Sequence, residues 1–164
     1  MTCQPLRYCD AVAATWLSPA ELGAWRRLCL MQLQLEARLG RGTSAHGLSY
    51  QDYLVLASLS DRPGGRCRVT ELSADLGWEK SRGSHHLSRM CARGLIEKQP
   101  CPTDLRGTNV AITKRGRAAI AEAAPDHVAQ VRELFVDVLT AEQLAVVDDV
   151  ARAVLSRLGA EPDG

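Results

Sequence analysis

The sequence predicts a mainly α fold with a small β-hairpin wing: a winged helix-turn-helix flanked by longer N- and C-terminal helices. Three observations lead there. Two amphipathic helical patterns, 69–76 and 80–93, meet at Gly77. Two short strand patterns around a turn-rich loop follow directly. Longer helical patterns at both ends carry more apolar surface than so small a subdomain would bury, as expected of helices that also dimerise.

The central helices are the most explicit. Val69, Leu72 and Leu76 recur at helical spacing, and Gly77 suits the positive φ of a sharp turn. The next helix runs from about Lys80 to Arg93 and stops at Gly94, the residue type that most readily takes the left-handed position after a helix. Two helices joined by a tight glycine turn make a helix-turn-helix. At 100° per residue, Gly83, Leu87, Met90 and Gly94 form one narrow inward stripe, and Ser81, Arg82, His85, Ser88, Arg89 and Arg93 lie opposite. That outer face contains donors and cations and no carboxylate, the composition that suits a polyanion. Arg82 and Arg89 have the fork geometry for guanine, and Ser81 and His85 suit phosphate or base contacts.

Residues 95–101 (LIEKQPC) predict a strand and 109–113 (NVAIT) its return, around the turn PTDLRGT. The runs LGWEKSRGSHHLSRMCARGLIEK, PTDLRG and ITKRG resemble the winged-helix core of the MarR (multiple-antibiotic-resistance repressor) transcription factors, over roughly residues 18 to 158. The resemblance implies a regulator, most often a repressor, that binds a pseudo-palindromic operator in double-stranded DNA as a homodimer. It implies DNA contacts from Ser81, Arg82, Ser84, His85, Arg89 and the wing arginine, Arg106, with Asp104 bracing the wing. Two positions depart from the family pattern: Gly83 and His86 stand where apolar residues are usual. An interior Gly costs a helix about 1 kcal/mol relative to Ala, so a softer helix is expected.

Charge is segregated. The net charge is +1 over 164 residues, yet residues 66–117 hold 11 Lys/Arg against 5 Asp/Glu, and residues 118–164 hold 3 against 9. A basic middle beside an acidic C-terminal segment fits a nucleic-acid-facing module on a separate scaffold. No apolar run is long enough to span a bilayer, and the N-terminus is a poor signal peptide, so no membrane association and a cytoplasmic location are expected.

In chain order, residues 1–17 form an extension. Residues 18–47 are expected to be a dimerisation helix and loop: Ser18 caps, Pro19 opens and Glu21 closes a capping box, with the helix ending near Leu39 and GRGTSAHG as the loop. Residues 48–115 form the winged-helix domain, opened by a second box, Ser49 with Asp52, and with Arg66 to Arg68 as a third strand. Residues 116–164 hold a long linking helix and a C-terminal dimerisation helix. The linking helix, capped by Thr113, is expected to reach about Leu139 with a bend or break near Pro125. The last helix, capped by Thr140, carries Leu144, Val147, Val150, Val154 and Leu158 on one face.

No P-loop, dinucleotide fingerprint, H-E-x-x-H or G-x-S-x-G occurs, so no enzyme and no cofactor is expected. His85 and His86 project about 100° apart, the six cysteines have no zinc-finger spacing, and no metal is assigned. The resemblance implies a small, often aromatic or phenolic, ligand in a pocket that Trp25, Leu28, Cys29, His46, Tyr50 and Tyr53 would line. It also offers a thiol redox switch, for which Cys9, Cys91 and Cys101 are the candidates. An alternative of another class is a winged-helix protein-docking module that never touches DNA.

Overall fold

The computed structural model describes residues 16–101 and 104–159, with the backbone alone at Lys80, Cys101 and 104–106. By internal contacts the chain divides into two units, Met1–Gln34 and Leu35–Gly164. In the first, the predicted capping box forms: Ser18 N donates to Glu21 Oε2 at 2.7 Å, and Glu21 N donates to Ser18 Oγ at 3.3 Å. It starts helix α1, Pro19–Ala45. Trp25, Leu28, Leu30, Met31 and Leu33 are exposed along its first half.

The second unit holds the end of α1, then α2 (Tyr50–Ser60), β1 (Arg66–Arg68), α3 (Val69–Asp75), α4 (Lys80–Ala92), β2 (Ile96–Cys101), β3 (Asp104–Ile112), α5 (Lys114–Leu134) and α6 (Ala141–Leu158). The strands form an antiparallel sheet in the order β1-β3-β2, with Cys67 and Lys98 both opposite Val110. The third strand is therefore present. Leu56, Leu59, Leu72, Leu87, Met90, Ile96 and Val110 fill the core between α2, the helix-turn-helix and the sheet.

Each turn is set by a local rule. Gly77, at φ 60°, joins α3 to α4. Gly94, at φ 71°, ends α4 in a Schellman motif, its N–H bonded to Cys91 O and that of Leu95 to Met90 O. Thr113 caps α5, donates its hydroxyl to Gly94 O at 2.7 Å, and so ties the new helix to the end of α4. A Cβ on Gly116 would meet Leu95 O at 2.1 Å, so only glycine lets α5 start this close to the strand.

Four expectations need correction. GRGTSAHG is not a loop, because α1 continues to Ala45. Ser44 and Thr43 bond their hydroxyls back to Gly40 O, Thr43 is buried, and Gln130 packs over Gly42. The glycines there are points of close approach rather than breakers. Secondly, of the bend or break expected near Pro125, the break does not occur, and α5 runs through the proline. Pro125 and Ala121 are both exposed, so water can satisfy the carbonyl that the proline leaves without a donor. Thirdly, α5 ends at Leu134, and a short 3-10 turn, Val136–Val138, replaces its expected last turn. Fourthly, β3 begins at Asp104, so the wing turn is shorter than PTDLRGT.

Candidate nucleic-acid interface

Helix α4 divides as its sequence spacing requires. Gly83, Leu87 and Met90 are buried, and Ser81, Arg82, Ser84, His85, Ser88 and Arg89 are exposed. A Cβ on Gly83 would lie 2.9 Å from Ser73 Oγ and 3.4 Å from Trp78 Cε3. The glycine thus brings α3 and α4 together, and the helix propensity it forgoes is exchanged for that close contact.

An open groove of about 540 Å³ runs along the exposed face, lined by Ser81, Arg82, His85, His86 and Arg89 of α4, Trp78 before it, and Ser49 and Gln51 from the start of α2. Sequence spacing singles out Ser81, Arg82, His85 and Arg89 for this face. Ser49, Gln51 and Trp78 are brought to it only by the tertiary packing. Arg106 and Asp104 of the wing lie outside the residues whose side chains are described, as does Cys101, and Cys9 lies outside the described residues altogether.

Behind the groove, Asp52 is buried at 3% exposure. Its Oδ2 accepts from Ser49 N at 2.9 Å, completing the capping box of α2, and from Arg93 Nη1 at 2.6 Å. Its Oδ1 lies 3.0 Å from His86 Nε2, off the axis of a well-aligned hydrogen bond. Burial raises the carboxyl, but the contacts from His86, Ser49 and Arg93 outweigh it and hold Asp52 well below the ordinary carboxylate range. Arg93 also donates to Gly47 O at 2.5 Å. It belongs to the cationic face by spacing, yet its guanidinium is turned back onto the end of α2. Ser88 is engaged as well, accepting from Lys98 Nζ at 3.0 Å.

The predicted pocket residues fall in both units. Trp25 and Leu28 are exposed and Cys29 half-buried in the first. In the second, His46 pairs with Asp126 at 2.9 Å, and Tyr53 stacks at a tilt on His127 with ring centroids 4.1 Å apart. Tyr50 lies farther from that ring, at 6.2 Å. Burial lowers the His127 pKa and raises those of both tyrosines. His127 is a member of this cluster that sequence spacing alone does not single out. Of the cysteines, Cys67 is buried, which raises its thiol pKa, and Cys91 is half-buried against the core.

A family model described as MarR family matches residues 46–107, the span of α2, the helix-turn-helix and the start of the wing. AbsC, a MarR family transcriptional regulator from Streptomyces coelicolor, is 32% identical; the superposition covers 90% of this chain and all of that one, with a TM-score of 0.84. The chain belongs to the MarR family. It is a MarR-type transcriptional regulator with the winged-helix fold. Sco3205, another MarR family regulator from the same organism, solved in complex with DNA, is also 32% identical, with a TM-score of 0.82 over 90% of this chain and 96% of its own. Similarity extends to the transcriptional repressor MprA of Escherichia coli strain K12, 26% identical over 140 residues that span 84% of this chain and 79% of MprA. Among the described residues, no helix is long and apolar enough to cross a membrane.

Proposed function

We propose that this MarR-family protein is a cytoplasmic repressor that binds a pseudo-palindromic operator as a homodimer and is released by a small aromatic or phenolic ligand. The observation that carries the DNA reading is the exposed face of α4, where Ser81, Arg82, Ser84, His85 and Arg89 stand together with no carboxylate among them. Arg82 and Arg89 take base edges or phosphates, the serines and His85 fix register on the backbone, and Arg106, braced by Asp104, reaches the adjacent minor groove. The DNA complex of Sco3205 supports this use of the fold, and the repressor MprA supports the sign of regulation. In this reading 18–47 and the last helix of 116–164 serve dimerisation, 48–115 reads DNA, and 1–17 is an extension.

A salt titration of binding to the protein's own promoter region tests this. Affinity should fall steeply with salt, because each phosphate contact releases counterions. Arg106→Ala should weaken binding across all sequences, and Arg82→Ala should reduce the salt slope by about one. Binding that ignores both salt and these substitutions would mark a protein-docking module instead.

A further inference from the structure

Arg89 stands on the exposed face of α4, but one end of its guanidinium is already held. Its Nη2 donates to His86 Nδ1 at 3.1 Å. An arginine can only donate, so Nδ1 must present its lone pair and the ring proton must sit on Nε2. That atom is buried and lies 3.0 Å from Asp52 Oδ1, off the axis of a well-aligned hydrogen bond, and a carboxylate can only accept, so a second lone pair there would be repelled. Both neighbours therefore demand the same histidine tautomer. Trp78 meets the imidazole edge-on at a centroid distance of 5.0 Å and restricts the ring. Asp52 is in turn immobilised by Ser49 N and by Arg93.

We propose that Asp52 and His86 are positioning residues for DNA recognition: a buried carboxylate fixes the His86 tautomer, and His86 aims Arg89 into the groove. This rests on the DNA reading above. It gives a physical reason for a histidine at a position where the sequence resemblance leads one to expect an apolar residue. An apolar side chain would fill the space but leave Arg89 to choose its own rotamer. Orienting a long cation in advance removes part of the ordering cost of binding, and it favours a bidentate base contact over a diffuse phosphate contact. The relay should therefore contribute to selectivity more than to overall affinity.

Two measurements on the full-length protein test the relay. Long-range proton–nitrogen spectra of the His86 ring, without DNA, should show the proton on Nε2 in the wild type and a mixture of tautomers in Asp52→Asn. A proton on Nδ1 in the wild type would overturn the assignment. The second measurement is the ratio of affinities for the duplex that the wild type selects from a random library and for an unrelated duplex. His86→Leu should lower that ratio roughly tenfold, the scale of one bidentate base contact. His86→Gln, which offers a donor and an acceptor in similar places, should restore most of it. His86→Leu should add little to Arg89→Ala. Full selectivity in His86→Leu, with wild-type binding intact, rejects the relay and leaves the DNA reading standing. No duplex binding by the wild type rejects both. Circular dichroism confirms folding, and if Asp52→Asn unfolds, the two His86 variants and the wild-type tautomer decide.

Discussion

Asp52 occupies one place in the sequence pattern and two in the structure. As the third residue of α2 it closes a capping box, and in the folded chain it also binds Arg93 and lies 3.0 Å from His86 Nε2 of the neighbouring helix. Because its folded-state carboxyl titrates below the ordinary value of about 3.9, the ionised form stabilises the fold above that pH. The contribution is lost as pH falls through the acid range. The urea midpoint of the wild type should thus drop more than that of Asp52→Asn between about pH 7 and about pH 3. At pH 7, Asp52→Ala should cost about 3 kcal/mol, the lower end for a broken buried ion pair, because Arg93 keeps access to water. Gly116→Ala has a different origin. The added methyl would strike Leu95 O and crowd Ile112 and Leu56, so equilibrium denaturation should show a loss of about 1–3 kcal/mol despite the better helix former.

At the level of elements, local signals are reliable where a cap defines them. Ser18, Ser49, Thr113 and Thr140 each start a helix at the position that their side chains predict. Thr140→Ala should therefore cost about 1 kcal/mol, visible as a lowered thermal midpoint, because its hydroxyl accepts from Gln143 N. Helix interiors and ends are harder. Gly40 and Gly42 read as breakers until Tyr50 and Gln130 are seen packed against them. Pro125 reads as a break until its carbonyl partner proves to be on a solvated face.

For the molecule as a whole, exposed apolar side chains gather on α1 and α6. Val146, Val150, Val154 and Leu158 of α6 are each more than half exposed, with Leu144 and Val147 somewhat less so. Apolar surface of this extent on one helix is what the proposed homodimer would bury. Val150→Asp should accordingly shift the protein to monomer in sedimentation experiments and abolish operator binding in a gel shift. Tight binding by a proven monomer would contradict the two-fold arrangement proposed above.

The order of elements, the helix caps, the two faces of α4 and the glycine turn at Gly77 were legible from spacing and residue type, because each depends on neighbours within a few positions. So was the resemblance to the MarR family, carried by three short runs between residues 76 and 116. What required the folded chain were contacts between residues distant in sequence. Examples are the approach of Asp52 to His86 and Arg93, the withdrawal of Arg93 from the cationic face, the place of Gly83 against Ser73, and the arrival of Ser49 and Gln51 beside α4. Periodicity tells which way a side chain points, whereas only packing brings another element to meet it.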